Sequence, residues 1–456
     1  MSGALRKFAE LRKGRSARAL ANDLARLQAQ QGLRGLAHRA AFEAERALAL
    51  PAPPPAAPPP INRTATHAFD VVFSELYDPS DEILRANRDV VRRFEERPGQ
   101  VETATWFIPY FNHVYFGGIH TIFRFMNWMK TEHGVAHRVV IYDHPDLTDK
   151  AVREPIASVF PALGDIDIVL PPKGRAPYVN FDELPESDIA LCSIWYSAYP
   201  LLRFNKTKAK FYFVQDFEPS FYPAGTLYAM AEATYRFGFA GIVNTPGLGE
   251  LYRSYSNPTV AFTPAVDWVH PEQHSTKAPG QPVQVVIYGR PSTDRNAFEL
   301  LASTCHKVKR QFGEGVRILS AGEDWDPVEF NLNGIVENLG LLNTLDDVRN
   351  LYTSSDIGVC CMFSKHPSYQ PLEYLASGMA VVTNVNPSTS WLLRDEENCL
   401  LAEPLPSVMA EAIGRLICDP ELRAKTSSAG AELVATFDWQ TEFAGVWRFI
   451  VGEDSL

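Results

Sequence analysis

The sequence predicts an α/β protein built from two doubly wound parallel-sheet domains that face each other across a cleft, with a helical appendage ahead of them. Three observations lead there. At 456 residues the chain exceeds what one hydrophobic core organises, since cores stop growing at roughly 250 to 300 residues. Short continuous apolar runs alternate with helical stretches through most of it, the mark of parallel strands covered on both faces. The alternation breaks once, at STKAPGQP (residues 275–282), and then restarts.

Residues 1–50 hold ten Lys/Arg against four Asp/Glu, a net +6 in a chain whose total is −11, and are rich in Ala and Leu. That composition favours one or two helices. PAPPPAAPPP (51–60) then imposes an extended linker, because proline fixes φ and offers no N–H donor. Residues 1–50 are therefore read as a basic helical appendage and 51–64 as a Pro/Ala-rich linker. Such a helix is expected either to make peripheral contact with an anionic membrane or to stay solvated as an oligomerisation arm.

In residues 65–278 the strand candidates are TATWFIP (103–109), RVVIYD (138–143), IDIVLP (166–171), DIALCSIW (188–195), AKFYFVQD (209–216) and AGIVNT (240–245). Helical stretches such as 119–131, 150–160 and 225–237 separate them. In residues 279–437 the order restarts with PVQVVIYG (282–289), a helix over 296–312, VRILSAG (316–322), a helix over 345–354 and DIGVCCMF (356–363). The helix PLEYLASG (371–378) and strand AVVTN (380–384) follow. In doubly wound sheets ligands bind beyond the carboxyl ends of the strands, so the facing mouths of the domains form the expected site.

Charge and composition exclude some functions. The acidic balance argues against nucleic acid, which is bound through a basic surface. No apolar run reaches the roughly 18 to 20 residues that cross a bilayer, and a cytoplasmic location is expected. The six cysteines form no CxxC pair or zinc spacing; Cys360 and Cys361 read as buried residues of a reducing compartment.

Four loops carry chemistry. FNHVYFGGIHTIFRF places Gly117 and Gly118 just before a helix, where bare backbone can approach a bound group and free N–H donors face it. His113 and His120 flank this loop and read as solvated. YGRPSTDRN puts Arg290 at a strand end and Arg295 at the next helix, two guanidiniums suited to a diphosphate. FSKHPSYQPLEYLASGMAVVTN brings His366, Ser368 and Tyr369 to a strand mouth, ahead of a short helix bearing Glu373. That carboxylate is costly to bury unpartnered, and ribose hydroxyls are a natural partner. VQDFEPSFYP holds Asp216 and Glu218 on opposite sides if the strand continues, so one of them reaches the cleft, and Asp216 is favoured as the proton acceptor. Asp324-Trp325-Asp326 imitates a DxD metal motif, but it follows an internal strand where a turn is expected.

The order GR(x4)R, SAG, LYTSSDIGV and HPSYQPLEYLASGMAVVTN resembles the donor domain of glycosyltransferase family 4, over residues 280–435. GGIHTIFRF, FVQDFEPSFYP, YGRPSTDRNAFEL and HPSYQPLEYLASG together resemble the WsaF-type rhamnosyltransferases, over residues 100–445. The resemblance implies a GT-B fold of two Rossmann-like domains, with acceptor-side domain 65–278, nucleotide-sugar domain 279–437 and a helix in 438–456 crossing back to the first. It implies a retaining, metal-independent transfer of L-rhamnose from dTDP-rhamnose to a surface glycan or lipid-linked acceptor, without a cofactor. By the same resemblance Arg290 and Arg295 hold the diphosphate, with Arg295 where many family 4 enzymes have lysine, and Asp216 and Phe217 form a functional pair. Glu373 matches the second of two family glutamates eight residues apart. Lys365 stands at the first, a departure that puts an ordinary hexose donor in doubt and is compatible with a 6-deoxy sugar. A transferase using a UDP- or GDP-hexose, an epimerase or hydrolase on the same fold, and a catalytically silent binding module remain as alternatives.

Overall fold

A computed structural model describes residues 74–453 apart from 112, 116, 143, 145, 172–178, 269–279 and 343. The expected appendage (1–50), the linker (51–64) and most of the break at 275–282 lie outside these residues.

The described chain holds two parallel sheets. The first has seven strands, β1 (Thr103–Ile108), β2 (Ala136–Ile141), β3 (Asp167–Val169), β4 (Ser187–Cys192), β5 (Thr207–Val214), β6 (Ala240–Asn244) and β7 (Thr259–Phe262), in the order β3-β2-β1-β4-β5-β6-β7. Its helices are α1 (Asp81–Val91), α2 (Gly117–His133), α3 (Asp149–Val159), α4 (Trp195–Arg203), α5 (Thr226–Thr234) and α6 (Pro246–Arg253). The second sheet has six strands, β8 (Val283–Tyr288), β9 (Val316–Ala321), β10 (Val336–Asn338), β11 (Ile357–Cys360), β12 (Ala380–Asn384) and β13 (Leu400–Ala402), in the order β10-β9-β8-β11-β12-β13. With it go α7 (Phe298–Phe312), α8 (Leu345–Thr353), α9 (Gln370–Ala376), α10 (Pro406–Cys418), α11 (Pro420–Val434) and α12 (Trp439–Val451). In each sheet the order reverses beside the first strand, and that reversal opens a crevice at the carboxyl edge.

The apolar runs become central strands because each is covered on both faces. Trp106 and Ile108 of β1 enter one core and Phe107 the other, while Val285 and Ile287 of β8 face away from Val286. Where the sequence extends a strand, the structure turns it sooner. β4 stops at Cys192, Ile194 takes φ 64°, and Trp195 already starts α4. β5 stops at Val214, two residues before Asp216, and residues Glu218–Phe221 form a 3-10 turn.

The last helix ties the second domain back to the first. Phe443, Val446, Phe449 and Ile450 of α12 lie in the core of the first sheet, with the Phe443 ring 4.9 Å from Phe125. Each such side chain contributes about 1.5–3 kcal/mol by leaving water. Arg124 of α2 stacks over Trp439 at 5.1 Å and pairs with Asp267 in the segment between the sheets, so α2, that segment and α12 are joined at one point.

Candidate functional site

The two sheets present their carboxyl ends to each other, and the residues singled out by the sequence collect there. β5 delivers Asp216 to the cleft, where its carboxylate lies 4.0 Å from Arg295 Nε of the second domain. Burial pushes its pKa up to about 6, against the pull of the Arg295 charge and of hydrogen bonds from the Phe217 N–H, the Ser364 hydroxyl and the Lys365 N–H. Arg295 is also stacked on the Phe221 ring at 4.3 Å. Thus both partners flanking the Arg295 guanidinium come from the other domain.

Arg290 follows β8, and its Nη1 donates to the Tyr288 hydroxyl at 3.2 Å. The Nε atoms of Arg290 and Arg295 are buried without a hydrogen-bond acceptor. Buried donors in folded proteins are nearly always satisfied, so two unsatisfied guanidine N–H groups at one strand mouth fit an anionic ligand. Behind them Trp325 donates to the Gly289 carbonyl at 3.2 Å and packs on Phe298, while Asp326 accepts the Val328 N–H at 2.9 Å. The Asp-Trp-Asp run thereby shapes the turn under the Arg290 loop.

The loop after β11 supplies His366 and Glu373. His366 is 4% exposed; its Nδ1 accepts the Ser368 N–H at 2.9 Å, and its Nε2 is buried with no partner. Burial, then the Arg295 charge, lowers its pKa to about 3, so the ring is neutral and Nε2 carries the proton. It offers an uncharged donor near the Arg295 cation. Ser368 holds φ 69° and closes its hydroxyl onto the Gln370 side chain, so its role is to bend the loop. Glu373, on the seven-residue helix α9, is partly buried and pushed up to about 7 by burial alone. Its carboxylate makes no hydrogen bond or ion pair with the described residues, and hydroxyl donors of a ligand would satisfy it.

Three expected ligand contacts are placed otherwise. Gly117 opens α2, but what lies against it is the Tyr369 ring, which a Cβ there would meet at 2.8 Å. Tyr369 spends its hydroxyl on Thr121 and Asn244 of the first domain. Phe217 turns its ring into the core between Tyr228 and Tyr235, because the chain leaves the strand before it; only its N–H serves Asp216. Gly118 stands at the cleft, but the Gln215 side chain lies against it, a Cβ there meeting Gln215 Nε2 at 3.2 Å, and its carbonyl accepts that same Nε2 at 3.0 Å.

Two further titratable side chains lie inside the first domain behind the site. Glu218 is buried inside the first domain, accepting from the Trp195 N–H and, at 2.9 Å, from the Tyr212 hydroxyl; burial pushes it up to about 8. His120, expected to be solvated, packs 5.1 Å from Phe160 and lies 3.0 Å from Arg124, and burial lowers it to about 4. Gln215 and Phe221 lie inside the VQDFEPSFYP loop and Asn244 in the strand AGIVNT, but nothing in those runs assigned them a role. The signal available was position: each lies at or just past the carboxyl end of β5 or β6. Non-glycine residues with positive φ gather at the same mouths, Ile194, Thr245 (φ 90°) and Ser368 among them, and such strain persists where the surroundings enforce it.

Comparison with known proteins agrees with this arrangement. Two family models match: the WsaF C-terminal domain over residues 283–414 and the WsaF N-terminal domain over residues 107–243. The O-antigen biosynthesis protein RfbC of Myxococcus xanthus is 43% identical over 354 residues, 77% of this chain; the chain spans 27% of that protein's length. Sucrose-phosphate synthase of Thermosynechococcus elongatus superposes with a TM-score of 0.59 at 16% identity, covering 77% of this chain and 100% of that one. The HepE protein of Anabaena, crystallised with UDP and glucose, gives 0.59 at 14% identity with the same coverages. Likeness at such identities is likeness of fold, and that fold is GT-B.

Proposed function

The chain belongs to the WsaF family, and we propose that it is a glycosyltransferase that moves a sugar from a nucleotide-sugar donor to a glycan acceptor. The observation that carries this reading is the pair of buried, unsatisfied guanidine N–H groups of Arg290 and Arg295 at the mouth of β8. The donor diphosphate lies against them, with its ribose toward Glu373 and its sugar toward Gly118 and Asp216. As the bond from the anomeric carbon to the diphosphate oxygen breaks, its electron pair leaves on the diphosphate, where the two cations stabilise the added charge. The acceptor oxygen bonds to the anomeric carbon, and its proton passes to Asp216. A carboxylate whose pKa stands near 6 is charged at neutral pH and remains basic enough for that task.

The finer reading is a retaining, metal-independent transfer of L-rhamnose from dTDP-rhamnose to a surface polysaccharide, at the cytoplasmic face of a membrane. Its support is threefold. Lys365 replaces the first family glutamate and is exposed beside the cleft, which removes a carboxylate otherwise available to a hexose hydroxyl. The relative from Myxococcus xanthus is named for O-antigen biosynthesis. No helix among the described residues is long and apolar enough to cross a membrane, which is compatible with the peripheral contact proposed for a lipid-linked acceptor.

Thermal-shift titration with dTDP, UDP, GDP and their sugars tests both levels, because a ligand that binds only the native state raises its apparent stability. Stabilisation by dTDP above UDP and GDP is expected, and Arg290→Ala is expected to abolish it with the fold intact. A preference for GDP or UDP overturns the rhamnose reading, and no response to any of them overturns the transferase.

A further inference from the structure

Tyr369 belongs to the second domain, yet both hydrogen bonds of its hydroxyl are made to the first. The oxygen lies 2.8 Å from Asn244 Nδ2 at the end of β6 and 2.7 Å from Thr121 Oγ1 in the first turn of α2. Thr121 Oγ1 in turn lies 2.8 Å from the Gly117 carbonyl. The proton directions are forced. The Gly117 carbonyl can only accept, which takes the single Thr121 proton; Thr121 must then accept from Tyr369, and Tyr369 from the Asn244 amide. With its one proton committed to Thr121, the Tyr369 hydroxyl has none to give a phosphate or sugar oxygen.

The ring is held as closely as the hydroxyl. It lies against Gly117, where a Cβ would reach Tyr369 Cδ2 at 2.8 Å, so a glycine there is what admits the contact. On the second-domain side, the strained φ of Ser368 turns the chain immediately before Tyr369, and Pro371 stiffens the start of α9 just after it. The same loop carries His366, and α9 carries Glu373. A nucleotide seated on those groups therefore acts on the segment that grips the first domain.

Resting on the transferase reading above, we propose that Tyr369 is a positioning residue: through the relay Asn244, Tyr369, Thr121, Gly117 it latches the two domains in the closed arrangement that brings Asp216 to Arg295. A ligand that favours the closed state strengthens the latch, and by linkage the latch raises the affinity for that ligand by the same factor. Closure is then graded by four neutral groups, none of which touches substrate.

Tyr369→Phe keeps the ring on Gly117 and removes only the hydroxyl, and Thr121→Val removes its acceptor at nearly constant shape. Spin labels at Lys150→Cys on α3 and Glu411→Cys on α10, in a Cys418→Ser background, report the distance between domains in the full chain. Cys418 is the exposed cysteine, and the other five are buried. For Tyr369→Phe the ligand-free distance distribution is expected to lengthen and broaden, and saturating dTDP to restore it. The dissociation constant for dTDP is expected to weaken about tenfold, as losing a hydrogen bond or two implies. Thr121→Val is expected to add nothing on top of Tyr369→Phe, since both break one relay. A wild-type distance distribution and dTDP affinity in Tyr369→Phe overturns the latch, as do independent, additive effects of the two substitutions. If the full chain binds none of dTDP, UDP and GDP, the transferase reading falls, while the ligand-free distances still decide the latch.

Discussion

The Asp216 carboxylate of the first domain and the Arg295 guanidinium of the second stand 4.0 Å apart across the cleft. Within its own domain Asp216 has the Phe217 N–H but no counter-charge, so the ion pair forms only when the domains are together. A diphosphate arriving at Arg295 competes with Asp216 for the same cation. Once it wins, Asp216 keeps its burial but loses its counter-charge, and its proton affinity rises where the acceptor hydroxyl must lose a proton.

A pH profile reads this group. Because burial raises Asp216 to about 6, kcat/KM is expected to fall as pH drops below about 6, where the carboxylate becomes protonated and cannot act as base. Asp216→Asn is expected to lower kcat by about a hundredfold or more and to remove that acidic limb. Retention of the limb in the variant would assign it to another group.

Arg295 is held by geometry as well as charge. Lysine at this position keeps the charge but cannot lie flat on Phe221 or present paired donors. Arg295→Lys is expected to weaken nucleoside-diphosphate binding about tenfold, the worth of a partly desolvated cation–π contact, and Arg295→Ala to weaken it further. Calorimetric titration of both variants checks the order. Equal loss in the two would mean that only the guanidinium matters.

Glu218 predicts a dependence of stability on pH that is separate from activity. Its folded-state pKa of about 8 lies above its ordinary value, so the folded protein holds this proton more tightly than the unfolded chain. The resulting stabilisation is complete below about pH 4.5 and is lost as pH rises toward 8. Glu218→Gln, which still accepts from Tyr212 and the Trp195 N–H, is expected to flatten that slope in denaturant titrations across pH 5–8. A slope unchanged by the substitution would exclude Glu218 as its source.

Gly358 couples core packing to the site. It lies in β11 beneath α9, and a Cβ there would be driven into the Tyr374 ring next to Glu373. Gly358→Ala is expected to destabilise the protein by about 1–3 kcal/mol, as overpacking does, and to weaken nucleotide binding through the displaced helix. Denaturant midpoints and dTDP titration measure the two effects. An unchanged midpoint would show that Tyr374 has room to move.

Much of the fold was legible because central strands announce themselves. Trp106, Phe211 and Val286 sit in the unbroken apolar stretches WFI, FYFV and VVIY, since both faces of a central strand are buried there. The strands absent from the sequence reading, β7, β10 and β13, are all sheet edges of three or four residues, too short for any period to emerge. The site divides in the same way. Arg290, Arg295, His366 and Glu373 were found because glycine, proline and charge interrupt apolar runs there. Phe221, Asn244 and Thr121 were not, because nothing local distinguishes an aromatic or amide at a cleft from one in a core.

What the sequence by itself determined is therefore the two parallel sheets, the strand ends where chemistry is placed, and the charged groups of the second domain that face it. Only the tertiary structure decided which first-domain residues meet them. It turned Phe217 inward and Phe221 onto Arg295, buried Glu218 while leaving Asp216 at the cleft, and gave Gly117 to the Tyr369 ring. The physical reason is that apolar periodicity is a local property, written within a strand or a turn of helix. A contact between Tyr369 and Thr121 joins residues 248 apart, and depends on how two separately folded sheets are brought face to face.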